Sequence, residues 1–170
     1  MKNIIRYFLT ASVLAAAGMA ATTTSVFAQA APADATVNFQ GLVGSVCTFS
    51  NAVAGEIVVS NPGFITSDPG FGGVAGSVDL SCTGSAELSV SAPQENGSTT
   101  DLLTTANFYK AFATFDAVST STDDQGVSTG PAFMSGPVDG SVVVSMELGT
   151  GNPIPEGAYN YNVVVTAAPL

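Results

Sequence analysis

Histidine and tryptophan are absent from this chain, and lysine and arginine together number only three. Without an imidazole, a Ser-His-Asp or Cys-His catalytic arrangement cannot form, and a zinc site lacks its usual nitrogen ligand. So little positive charge leaves no electrostatic footprint for nucleic acid or for an anionic membrane surface. No glycine-rich loop of the phosphate-binding form opens a helix, and no stretch offers a long, capped amphipathic helix. The acidic residues sit mostly in turn-like segments, where carboxylates are usually solvated. Asp123-Asp124 lacks the spacing of an EF-hand loop and reads as a turn. The chain is therefore read as non-enzymatic, with no cofactor and no metal.

What is present begins with an export signal. Lys2 and Arg6 supply a positive start, and an apolar stretch rich in Ala and Leu follows from Tyr7 to Ala21. Ala28-Gln29-Ala30 then fits the small-x-small pattern that signal peptidase cuts, with cleavage after Ala28 as the alternative. The apolar run falls short of the roughly twenty residues that span a bilayer. Residues 1–30 are thus expected to be removed, and no membrane span is expected in what remains. Of the basic residues only Lys110 lies beyond that point, against thirteen acidic ones. The remaining 140 of the 170 residues suffice for one domain with a sizeable core.

Both cysteines, Cys47 and Cys82, lie in this part. In an oxidising compartment an even pair reads as a disulfide, the alternative being two buried thiols. Closing a loop of this length stabilises a fold by roughly 3–4 kcal/mol in the chain-entropy model.

Elsewhere the texture is that of an all-β protein. Short runs alternate apolar and polar side chains, separated by clusters of Gly, Pro, Asn, Asp, Ser and Thr. The expected strands are 36–43, 46–50, 56–60, 77–82, 87–92, 111–117, 141–148 and 158–167. Leu102 to Phe115 is ambiguous, because Leu103, Ala106, Tyr109 and Phe112 also share a helical face. Short strands at regular spacing predict a β-sandwich.

Two stretches carry a family likeness. From Ala33-Asp34-Ala35 to Cys47, the residues Val37, Phe39, Gly41 and Val43 share one face of an extended strand, with Asn38 and Gln40 on the other. Near the C-terminus Gly157 precedes a run in which Tyr159, Tyr161, Val163, Val165 and Ala167 alternate on one face. Together with the cysteine spacing, these stretches resemble chaperone–usher fimbrial subunits, of the type 1 and P pilus minor-subunit kind or a spore-coat-U-like branch. One departure stands out: the family's penultimate tyrosine is replaced by Pro169.

The resemblance implies an immunoglobulin-like β-sandwich that lacks its last strand and is completed by a neighbour. Residues 31–45 would be an N-terminal extension and 46–170 the pilin-like domain. Val37, Phe39 and Val43 would fill a neighbour's groove, and Gly41 would sit where the groove leaves no room. The strand from Gly157 through Tyr159, Tyr161, Val163, Val165 and Ala167 would border the chain's own groove and meet a periplasmic chaperone. Implied partners are copies of the chain or related subunits, that chaperone and an outer-membrane usher, with a surface fimbria as destination. The length matches a shaft subunit rather than a two-domain tip adhesin. The competing expectation is that residues 36–43 form the first strand of a self-contained secreted sandwich, one that binds a ligand or forms part of the cell surface.

Overall fold

The computed structural model describes Gln40 and residues 44–170. The expected signal, the strand at 36–43 and its residues Val37, Phe39, Gly41 and Val43 lie outside the described residues. From Cys47 onward the chain forms β1 (Cys47–Val53), β2 (Val58–Asn61), β3 (Phe64–Thr66), β4 (Gly76–Cys82), β5 (Ala86–Val90) and β6 (Gln94–Glu95). It continues through β7 (Phe108–Phe115), β8 (Val118–Ser121), β9 (Ala132–Met134), β10 (Val138–Gly149), β11 (Tyr161–Asn162) and β12 (Val165–Pro169). Among the described residues there is no α-helix, only single 3-10 turns at Pro69–Phe71 and Leu103–Thr105.

Every ladder is antiparallel, and β10 is the spine of the larger sheet. Its β-branched run Val142-Val143-Val144 suits a pleated, half-buried surface. Val142, Met146 and Leu148 point inward and are buried. On one side β10 pairs with β7, which pairs onward with β8. On its other side Val138 to Val144 pairs with β4, and Glu147 to Gly149 pairs with β3. Strands β3 and β4 thus share one flank of β10, interrupted by an excursion over residues 67–75. Outboard of them, β1 on β4 and β2 on β3 make a single sheet edge broken at residues 54–57.

The second sheet runs β9-β5-β12. The β6–β11 pair continues the β5–β12 ladder after an irregular step. The two sheets enclose an apolar core. Leu80, Leu88, Ala111, Ala113, Met134 and Val142 form one cluster, and Ile65, Leu102, Met146 and Leu148 form the other. The all-β, sandwich-like architecture expected from the alternation is therefore present.

Cys47 and Cys82 face one another across the β1–β4 ladder, with Cα atoms 4.1 Å apart, and form the disulfide. It ties an edge strand that pairs on one side only into the sheet.

Two turns show how local sequence sets this course. Gly63 closes the β2–β3 hairpin at φ +82, and a Cβ there would lie 2.6 Å from the Asn152 carbonyl oxygen. Glycine meets both demands at once. Asp116 takes the left-handed conformation, φ 55, in the two-residue turn joining β7 to β8, which an aspartate tolerates better than most residues. That turn ends the strand expected over 111–117 at Phe115, while its start moves back to Phe108.

Candidate functional site

The two edges facing the same flank of the sandwich have no ladder partner among the described residues. On the larger sheet this edge is β1 and β2, and on the smaller sheet it is β11 and β12. Between them lies a groove of about 610 Å³. Phe49, Val53 and Ile57 line one wall, and Tyr161, Val163 and Val165 line the other. Val78, Val144 and Met146 contribute to its floor.

Backbone register states which polar groups point into that groove. In an antiparallel ladder, residues alternate between those bonded to the neighbour and those whose N–H and C=O face away. The bonds Leu170 N–H to Ser85 O and Ser91 N–H to Val164 O fix the phase of β12 against β5. Val164, Thr166, Ala168 and Leu170 therefore bond to the β5 side, and Val163, Val165, Ala167 and Pro169 turn their backbone groups toward the groove. On β1, the bond from Thr83 N–H to Val46 O sets the same alternation. Cys47 and Phe49 are the residues whose backbone groups face the groove.

The side chains follow the same alternation. Tyr159, Tyr161, Val163, Val165 and Ala167 are half-buried, and Asn160, Asn162, Val164, Thr166 and Ala168 are exposed. The residues singled out in the C-terminal sequence thus share the face turned toward the core and the groove. They do not form one continuous strand: β11 and β12 are separate, and pairing runs on to Pro169. Gly157 lies before both. A Cβ there would meet Thr99 and Tyr159 at ordinary contact distances of 3.5 and 3.6 Å, so space does not demand glycine at this position.

The first edge is irregular between β1 and β2. Asn51, at φ 50, sits in the irregular step after Ser50, and its Nδ2 donates to Asp79 Oδ2 at 2.9 Å. β1 pairs again at Val53 with Ser77, and beyond it Glu56 bridges Val74 through two backbone hydrogen bonds. At Gly55 the backbones come so close that a Cβ would lie 2.6 Å from the Val74 carbonyl oxygen and 2.7 Å from the Gly76 nitrogen. The sequence already separates strands expected at 46–50 and 56–60; β1 and β2 fall at Cys47–Val53 and Val58–Asn61.

Apolar side chains stay half in water along this flank: Phe49 is 39% exposed and Val53 61%. The Tyr161 hydroxyl is buried beside the Leu102 backbone without a hydrogen bond of good geometry. Burial, with Asp101 nearby, pushes its pKa up to about 12.

The remaining polar features lie away from the groove. Asp123 Oδ1 accepts from the backbone N–H groups of Gln125 and Val127, which makes this acidic stretch a side-chain-closed turn. Lys110 pairs with Asp124 at 2.5 Å and faces Glu147 across the ladder, and the Asp124 contact raises its pKa. Among the described residues no helix is long and apolar enough to cross a membrane. Comparison with protein-family models, with curated proteins and with solved structures finds no match.

Proposed function

We propose that this chain is a non-enzymatic structural subunit of a surface fibre, exported and assembled by donor-strand complementation. In this reading residues 36–43 of one copy lie in the groove of the next, and Val37, Phe39 and Val43 replace water against its walls. A periplasmic chaperone would hold the groove until an outer-membrane usher hands the subunit on. The carrying observation is the pair of open sheet edges flanking an apolar groove. An added strand there gains backbone hydrogen bonds on one or both sides and buries alternate side chains, which is the physics of β-augmentation.

The chain's own path favours an occupant from another copy. Val46 continues the line of β1 beside Thr83, accepting from its N–H and donating to its Oγ1. Ser45 runs on past Gly84.

A second reading draws on the groove's volume, which lies in the range of small-ligand pockets, roughly 300–1,000 Å³. On that reading the domain is a self-contained secreted sandwich that takes an apolar ligand. Thermal unfolding of the 31–170 chain separates the two. A peptide of residues 33–45 at about 100 times its Kd adds about 2.7 kcal/mol, a rise on the order of 10 °C. The same peptide carrying Gly41→Asn should give little. If neither peptide moves the transition, donor-strand assembly is wrong and the ligand-binding sandwich becomes the better account.

A further inference from the structure

We propose that Pro169 is a register stop: it ends the ladder available to an incoming strand at Ala167 and seats that strand toward Tyr159. The inference rests on the donor-strand reading and adds which part of the groove the strand uses.

Proline has no N–H to donate, so within a sheet it is confined to positions where that group would face an open edge. Pro169 lies opposite Ala86 in the β5–β12 ladder, in the phase whose backbone groups turn away from β5. Its place there leaves β5 fully paired. The cost falls wholly on the groove side, where Val163, Val165 and Ala167 each offer an N–H and a C=O and Pro169 offers a carbonyl alone. At this end Cys47, Val165 and Ala167 pack against the same buried cluster.

The other end is open. Ile57 lines the main groove and also a second cavity of about 500 Å³, walled by Val59, Ile65, Ile154 and Tyr159. A strand shifted that way keeps its three positions at Val163, Val165 and Ala167 and gains a second apolar recess. Shifted the other way, it meets Pro169, which has no N–H to donate. Pro169 also blunts β12 against unselective pairing at its C-terminal end, a common protection for exposed edges. Register choice and edge protection thus come from one missing hydrogen.

The test is amide hydrogen exchange on the monomeric 31–170 chain, alone and with the 33–45 peptide, compared with the Pro169→Val chain. With peptide, the amides of Val163, Val165 and Ala167 should slow by roughly tenfold or more in both proteins. In P169V the new amide at 169 should slow as well. The peptide should bind that chain about two- to tenfold more tightly, as one added backbone hydrogen bond allows. If the three amides slow and the one at 169 does not, Pro169 is no stop, and the proposal fails while donor-strand assembly survives. If none of them slows, both fail together.

Discussion

The two flanks of this sandwich are finished differently. On the β8–β9 flank the chain itself closes the gap. Thr129 N–H donates to the Ser121 carbonyl, Thr120 Oγ1 donates to the Gly130 carbonyl, and Thr122 and Ser128 form a bridge. Three residues later the same segment pairs with β5 as β9, so hydrogen bonds pass from one sheet to the other. On the opposite flank β1 and β12 come close without a ladder between them. Apolar side chains stand in the gap, and backbone groups of Val163, Val165 and Ala167 face it. Among the described residues, the crossing segment 128–134 closes one flank, and no strand lies between β1 and β12 on the other.

Three perturbations sharpen the contrast. The largest effect should come from Cys47→Ala with Cys82→Ala, at about 3–4 kcal/mol in urea unfolding from the freed loop. Because β1 pairs only with β4 among the described residues, its loosening should also abolish the rise in melting temperature given by the 33–45 peptide. A double variant that loses stability yet keeps the full peptide response would show that β1 is no wall of the site.

The closed flank should behave in the opposite way. Thr122 is buried, and its Oγ1 accepts from the Ala111 N–H at 3.0 Å. Thr122→Val leaves that donor unpaired and should cost about 1–3 kcal/mol, while the peptide response stays intact. Loss of the response in this variant would mean that the two flanks are coupled.

The smallest effect is one of pH. The folded pKa of Tyr161 lies above the ordinary tyrosine value, at about 12, so the native state holds its proton more tightly than the unfolded chain does. The resulting stabilisation is present below about pH 10 and is lost as pH rises through 12. Melting curves across that interval should fall less steeply for Tyr161→Phe than for the native chain. Equal slopes would mean that the hydroxyl is not held away from water.

Much of this arrangement was legible beforehand because alternation is a direct record of which face is buried. The runs around Val142 and Leu148, and from Tyr159 to Ala167, announced both strand and inward face. The disulfide was expected from two cysteines in a chain read as exported. What escaped were the elements fixed by partners rather than by pattern. β3, Phe64-Ile65-Thr66, is three residues long and is held by Glu147, Leu148 and Gly149. β9 is equally short and is defined by β5. The stretch from Leu102 to Phe115, ambiguous between helix and strand in the sequence, forms a single 3-10 turn followed by β7, with Leu102 in the second core cluster. The groove was legible only in part. Its C-terminal wall can be read from residues Tyr159 to Ala167, but the close approach of Gly55 to Val74 and Gly76 on the other wall cannot.

The most direct measurement places a photoreactive phenylalanine analogue at position 39 of the 31–170 chain and maps the cross-links in assembled material. The account predicts links between different copies, landing on Phe49, Ile57, Met146 or Val163. Links confined to one chain, or landing on the β8–β9 flank, would contradict it.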